Sequence, residues 1–510
     1  MGSVLSSSAK IRKKRRSTAS SRKRRARFSV SSEKTYVPES KSRSQECEPL
    51  PSNLNHTAYS GVDQAISADA TASYEEFFTQ LSRRNVLGNT HSINNSSTLS
   101  ASCADEARAS VLSFFHASSD EYTVIFTPNA SGALKLVGEA YPFTDESRYL
   151  LACDSHNSVH GIREFAGRYG AGVHYIPSTP KGGLDVTTAH RLLFRHQPNS
   201  PDAAPCLFVM TAQSNISNAK SPLSITQYAG ALGYNTVLDA AALAPTSYIS
   251  LTDYPVDAMA VSFYKMFGFP TGVGALVAKK SFLRKLRRPW FAGGNVDVVQ
   301  VPGTVVTLSS KLHERFEDGT VNFLSLAAVG DGIRFLSAYM PFLPLRLSTL
   351  LHYLASSLSK LRHDKTDTPV VRILSALPSR RLTSVGAQSD VGSILSLLFL
   401  APSGEMLPNS FIAHAASRMC ISLRTGCMCN PGGAATLLGI EDAMQELYDG
   451  VTLGAFEQAM GRELGVIRVS LGLASNFQEV WNVIRFARVI AQEEGRMSLW
   501  AGWFAASGKA

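Results

Sequence analysis

From about residue 105 onward, short apolar runs alternate with stretches of helical spacing, and the two periods together predict a chain of strands and helices. Tyr122–Phe126 reads as a strand rich in β-branched and aromatic residues; a turn and a helical pattern over Gly132–Ala140 follow it. Tyr149–Cys153, Cys206–Thr211, Thr236–Asp239, Ala258–Ser262 and Val273–Val277 are further apolar runs bounded by polar residues or glycine. Runs of this kind, separated by helical segments, predict a mostly parallel sheet covered on both faces. After a helical stretch near 325–360 a second set begins. Val370–Leu374, Ile394–Leu400, Ile421–Leu423 and Val466–Ser470 are expected as strands, and Asn409–Arg418 and Gln478–Ala491 as helices. This second set predicts a smaller α+β domain, and no internal repeat is visible. The expected organisation is a tail over 1–50, a large domain with an N-terminal arm over 51–335 and a small domain over 336–510.

The first 50 residues change the picture. They hold 14 Lys and Arg against 4 Asp and Glu, a net of +10, while the other 460 residues carry 36 of each sign. A segment so polar and charged buries too little apolar surface to offset its ordering entropy, so it is expected to be disordered. Two basic clusters, Lys10–Arg16 and Arg22–Arg27, fit a nuclear address; Met1-Gly2 with Ser6 fits acylation beside a polybasic stretch; an Arg/Ser-rich start fits a mitochondrial leader. A solvated tail with no address is the fourth reading. The neutral body excludes phosphate-backbone binding as its general business, so nucleic acid is not an expected partner.

No apolar run approaches the roughly 18 residues of a membrane span, Val391–Pro402 being the best stretch, and an apolar signal-peptide core is missing. A soluble, cytoplasmic protein is the expectation. Seven cysteines, an odd number with five scattered, suit a reducing compartment and free thiols.

The chemistry gathers where strands are expected to end, which is where open α/β sheets bind ligands. In Val261-Ser-Phe-Tyr-Lys265-Met-Phe-Gly-Phe-Pro-Thr-Gly-Val-Gly274 a lone lysine follows a strand and precedes a glycine-rich turn. Apolar flanks strip such an amine of solvation, lower its pKa and make it available for imine chemistry. Asp239 ends Asn235-Thr-Val-Leu-Asp239, and a carboxylate at the end of a buried strand has to be paired. Thr127-Pro-Asn-Ala-Ser131-Gly132 opens a helix as a phosphate cradle would. Ser262 can turn its hydroxyl to the same phosphate, His156 can stack on a ring, and Asn215 can donate to a ring hydroxyl. Lysine, anion, cradle and stacking partner are what pyridoxal-5′-phosphate (PLP) asks of a protein. The plainer alternatives are a surface lysine, a helix-capping Asp239, a common Ser/Gly turn and a structural histidine.

Several segments together carry a resemblance. Gly88-Asn-Thr-His-Ser92, His156-Asn-Ser-Val-His-Gly-Ile-Arg-Glu-Phe165, Ala212-Gln-Ser-Asn215, Ser262-Phe-Tyr-Lys265, Phe316-Glu-Asp-Gly-Thr320 and Arg424-Thr-Gly-Cys-Met-Cys-Asn430 resemble the N-terminal half of molybdenum cofactor sulfurases. Those are class-V aminotransferase-fold enzymes related to bacterial cysteine desulfurases, and the resemblance runs in order from about residue 75 to 490. It implies PLP-dependent transferase fold type I, an α/β fold. Lys265 would hold the cofactor as a Schiff base, Asp239 its pyridine nitrogen, His156 its ring face and Asn215 its hydroxyl. Ala130, Ser131 and Ser262 would hold the phosphate, and Thr320 would reach the neighbouring subunit's phosphate, which implies a homodimer. Tyr264 stands where many desulfurases have histidine.

The resemblance also implies that Cys429 accepts sulfur from L-cysteine as a persulfide and that alanine leaves, with Cys427 the fallback nucleophile. Arg468 would clamp the substrate carboxylate through its planar fork. A buried thiol pair or part of a metal site is the plainer reading of the two cysteines, but no second Cys/His cluster supports a metal. Two departures stand out. Where the family opens with Tyr-Leu-Asp-x-Ala, residues 58–72 keep only Asp69-Ala-Thr71. The resemblance ends about 20 residues before residue 510, so the sulfurases' acceptor-binding C-terminal domain is not expected in this sequence. The final sulfur acceptor, molybdenum cofactor or a protein, stays open. So do a C–S lyase, an aminotransferase on another amino acid and a non-catalytic relative.

Overall fold

Apolar runs that can bury both faces become the centre of a seven-stranded sheet in the structure, a computed structural model describing residues 95–200 and 203–506. The strands are β1 (Tyr122–Thr127), β2 (Arg148–Ala152), β3 (Gly172–Ile176), β4 (Leu207–Thr211), β5 (Asn235–Asp239), β6 (Ala258–Ser262) and β7 (Gly274–Lys279). Their order is β1-β7-β6-β5-β4-β2-β3, and every pairing is parallel except the two made by β7. β4 and β6 are buried at every residue, as strands covered on both sides must be. Leu151, Val209, Val237, Ala260 and Leu276 pack with Ala133, Leu134 and Val137 of the helix Ala130–Ala140 into one core. Each large side chain so buried stabilises the fold by roughly 1.5–3 kcal/mol.

Because β7 alone runs the other way, the carboxyl ends of the six other strands, β1 to β6, share one edge, where Gly274 starts β7 opposite both Thr127 and Ser262. The expected set of strands misses β3, a half-buried edge strand, and the hairpin β8 (Val296–Val299) with β9 (Val306–Leu308).

The second sheet is antiparallel throughout, with β10 (Val371–Ile373), β11 (Ile394–Phe399), β12 (Arg424–Gly426) and β13 (Val466–Ser470) in the order β10-β11-β13-β12. The strand expected over Ile421–Leu423 is a correction: pairing starts three residues later, at Arg424. The chain leaves the helix Asn409–Arg418 through Cys420 in the left-handed region (φ 57°), and only from Arg424 does it lie against β13. The stretch near 325–360 divides into helices Phe323–Tyr339 and Leu343–Ser359, with Pro344 in the first turn of the second, where proline needs no donor.

Arg108 grips Glu317 with two hydrogen bonds of 2.7 and 2.8 Å, and Glu317 also accepts from the Phe126 backbone at 2.7 Å. That buried pair fixes the segment bearing Thr320 beside the end of β1. The tail over 1–50, Asp69-Ala-Thr71 and Gly88–Ser92 lie outside the described residues. Among the described residues no helix is long and apolar enough to cross a membrane.

Candidate active site

Lys265 sits in a short helix, Phe263–Phe267, that springs directly from β6. Phe263, Met266 and Phe267 are buried beneath it, which turns Lys265 outward. Its side chain meets solvent, yet protein crowds the amine and loss of hydration pulls the ammonium pKa down. Asp239 works against that shift, Arg468 and Arg424 reinforce it, and Cys429 opposes it. Four long-range partners thus act on one amine.

Asp239 is buried at the end of β5, where one carboxylate oxygen caps its own turn by accepting from the Ala241 backbone at 3.1 Å. The other oxygen has no hydrogen-bond partner among the described residues, so the capping and cofactor readings coexist. His156 follows β2 and caps the helix Asn157–His160, its Nδ1 accepting from the Ser158 backbone at 3.1 Å. A ring that accepts at Nδ1 carries its proton on Nε2 when neutral. Burial lowers its pKa; Asp239 raises it, and Lys265 and Arg424 lower it further.

At the cradle, Asn129 caps the helix Ala130–Ala140 by accepting from Gly132 at 3.0 Å, and Ser262 Oγ accepts from the Ala130 backbone at 2.8 Å. Ser131 Oγ meets Ser158 Oγ at 2.6 Å, linking the cradle to the turn capped by His156. Gly274 is required by contact: a Cβ there would lie 2.6 Å from both Asn129 Cα and Val261 O. Gly274→Ala is expected to cost about 1–3 kcal/mol in urea unfolding and to weaken retention of added PLP, because the backbone it displaces carries the cradle.

The small sheet delivers the other half. Arg424 and Arg468 face each other directly across β12 and β13. Like charges so placed repel unless an anion lies between them. Arg468 donates to the Asn215 carbonyl at 2.8 Å, and its Nε is buried without a partner. Cys427 and Cys429 are both exposed, flanking Met428, which is buried with Ile216, Ala434, Leu437 and Val466. Met428 and Cys429 both occupy the left-handed region (φ 56° and 57°), which costs of order 1–3 kcal/mol per residue. Two bonds hold the loop there: Asn157 N–H donates to the Cys429 carbonyl at 2.7 Å, and Asn215 Nδ2 to the Met428 carbonyl at 2.7 Å.

Asn215 has a structural partner that the sequence expectation did not include. One amide N–H grips the cysteine loop, leaving the second for a ring hydroxyl. Thr320 is exposed and lines a cavity of about 470 Å³ with Thr127, Pro128, Gly132 and Lys135. Sequence reading left Arg424, Asp154 and Asn430 without roles. Asp154 carried the same signal as Asp239, a carboxylate just past an apolar strand.

A sequence profile for Aminotransferase class-V matches residues 66–483. The chain belongs to the class-V aminotransferase family. Among curated proteins it is similar to the molybdenum cofactor sulfurase of Homo sapiens, 33% identical over 457 residues, covering 85% of this chain and 50% of that protein. The Arabidopsis thaliana molybdenum cofactor sulfurase is 30% identical over 437 residues, covering 79% and 52%. The chain spans about half the length of the curated relatives it matches. Among solved structures a cysteine desulfurase from Thermococcus onnurineus NA1 superposes with a TM-score of 0.62 at 21% identity, over 82% of this chain and 89% of that one. A cysteine desulfurase from Escherichia coli gives 0.59 at 17%, over 83% and 90%. The fold is PLP-dependent transferase fold type I, and class-V aminotransferases are PLP-dependent as a family.

The residues present fit that cofactor. Hydroxyls and a helix N-terminus suit its phosphate, the buried Asp239 a pyridinium nitrogen, and the softened amine of Lys265 an aldehyde. The unpartnered Nε of Arg468 suits an incoming carboxylate.

Proposed function

We propose that this chain is a PLP-dependent sulfurtransferase of the cysteine desulfurase and molybdenum cofactor sulfurase type, which takes sulfur from L-cysteine onto Cys429 and releases alanine. The observation that carries the reading is that the cysteine loop is tied to the strand ends of the large sheet: the Cys429 carbonyl accepts from Asn157, next to His156, and the Met428 carbonyl from Asn215, whose own carbonyl accepts from Arg468. Ser131 and Ser262, with Ala130 at the same helix N-terminus, hold the phosphate, Asp239 the pyridine nitrogen, His156 the ring face and Asn215 the ring hydroxyl. When bound, PLP supplies an electron sink for the substrate's α-carbon.

Arg468 orients the substrate through its carboxylate, and Arg424 adds a second positive charge beside it. Lys265, less readily protonated than an ordinary lysine, moves protons at the substrate carbons. The Cys429 thiolate attacks the substrate sulfur: an S–S bond forms, the C–S bond breaks, its electron pair stays on carbon, and a proton delivered there gives alanine. A homodimer in which Thr320 completes the partner's phosphate site, and a molybdenum cofactor or protein as final acceptor, belong to the same proposal.

Product analysis with L-cysteine and other amino acids, with and without a thiol reductant, tests it. Alanine, with sulfide released only on reduction of a protein persulfide, is the expected result. Pyruvate and free sulfide without a persulfide would make the protein a C–S lyase, and no visible imine band with added PLP would make it a non-catalytic relative.

A further inference from the structure

The cysteine loop is joined to the large sheet at a third, buried point. Asp154, just past β2, is 2% exposed, and its carboxylate accepts four hydrogen bonds. Ser214 Oγ and Asn430 Nδ2 donate to Oδ1, and Gly183 N–H and Ser217 Oγ donate to Oδ2, each at 2.6 Å.

Three of those donors belong to loops of the large sheet. The fourth, Asn430, follows Cys429 in sequence and is fully buried. Its Oδ1 caps the helix Pro431–Leu438 by accepting from Gly433 at 2.9 Å, which obliges its Nδ2 to face Asp154. The same Nδ2 donates to Asn215 Oδ1 at 3.0 Å, and Asn215 in turn holds the Met428 carbonyl.

Close approach has been provided for. A Cβ on Gly433 would lie 2.5 Å from Asp154 Oδ1, and one on Gly432 would lie 2.2 Å from the Cys153 carbonyl. Chemistry narrows the choice at 154 further. Gly183 N–H and the Asn430 amide are obligate donors aimed at different oxygens, so both arms of the side chain must accept. A carboxylate does this and an amide does not.

We propose that Asp154 is a positioning residue for Cys429, holding Asn430, and through it the cysteine loop, against the strand ends that carry His156 and Asn215. The proposal deepens the desulfurase reading and rests on it for the role of Cys429. Without this link the loop keeps only the bonds from Asn157 and Asn215 to its carbonyls, and the Cys429 thiol loses its fixed position.

The test is the iodoacetamide alkylation rate of Cys429 in the full chain carrying Cys427→Ala, mapped by mass spectrometry, with exposed Cys420 as the internal reference. Asp154→Asn is expected to slow Cys429 relative to Cys420 by about five-fold or more, the scale set by one buried hydrogen bond. Asn430→Asp keeps the helix cap and loses the donor, so it should slow Cys429 equally, and it carries the test if Asp154→Asn does not fold. Ser217→Ala removes a different donor from the same carboxylate and should leave the rate unchanged. With L-cysteine, the two loop variants should lose kcat while KM stays within about two-fold, as expected when orientation rather than binding is disturbed.

Wild-type Cys429 reactivity in folded Asp154→Asn and Asn430→Asp would overturn the proposal, as would an equal loss in Ser217→Ala. Alkylation does not require PLP, so failure of the desulfurase reading, seen as no imine band and no alanine, stays distinguishable from failure of the link.

Discussion

Lys265→Ala should abolish the visible imine band of the PLP-loaded protein and reduce alanine production to below about one-thousandth of wild type. The expectation rests on the surroundings that soften this amine: burial lowers its pKa, and Arg468 and Arg424 lower it further against the pull of Asp239. A lysine whose folded pKa is depressed offers its neutral, nucleophilic form at lower pH. Covalent capture of PLP by borohydride should therefore persist well below the 10.5 of an ordinary lysine.

Lys220 is the natural competitor, since burial drops its pKa to about 8. Its ammonium, however, donates to the Ser389 carbonyl at 2.9 Å, with Asp390 as its opposing charge. Peptide mapping of the borohydride adduct decides between them. A label on Lys220, or on Lys279, would overturn the assignment of the site.

Cys429→Ala should leave PLP and cysteine binding intact and cut alanine release to about one per cent or less, because breaking the C–S bond needs a thiolate to receive the sulfur. Arg468→Ala should fail earlier. Losing a charge-assisted contact to the substrate carboxylate costs about 1.5–3 kcal/mol, which is roughly ten- to hundred-fold in Kd. Its Nη1 already serves the Asn215 carbonyl, so the variant should also loosen the turn that holds Met428.

Cys427→Ala should be mild: both thiols are exposed, but Cys429 is the one whose carbonyl is tied to the residue after His156. Substrate titration followed by spectral change, with alanine quantified in parallel, separates the three variants. Full alanine production in Cys429→Ala with loss in Cys427→Ala would move the nucleophile two residues upstream. Activity in both single variants and the double variant would favour a lyase that needs no protein thiol.

Part of this protein is legible from local chain geometry alone. Apolar runs that can bury both faces are strands wherever they sit, so the ends of β5 and β6 can be read directly, with Asp239 and Lys265 on them. The helix Asn409–Arg418 is readable in the same way. Periodicity is less informative where burial is partial, as at the edge strand β3, and it misplaces β12, whose boundaries depend on the partner β13.

What only the tertiary structure decided is every relation between distant segments. Asp154 and Asn430 are 276 residues apart, and Asn215 meets Met428 across 213. No local pattern announces such pairs, because their free energy exists only once both sheets are assembled. The reversal of β7, which leaves the carboxyl ends of the six other strands on one edge, is likewise set by long-range pairing. So is the face-to-face placement of Arg424 and Arg468, a repulsive pair in isolation. The sequence by itself determined which residues have chemistry to offer and where strands present them, since that follows from backbone dihedrals and apolar burial. The tertiary structure decided which of them meet, because buried carboxylates, amides and thiols find their partners only through packing.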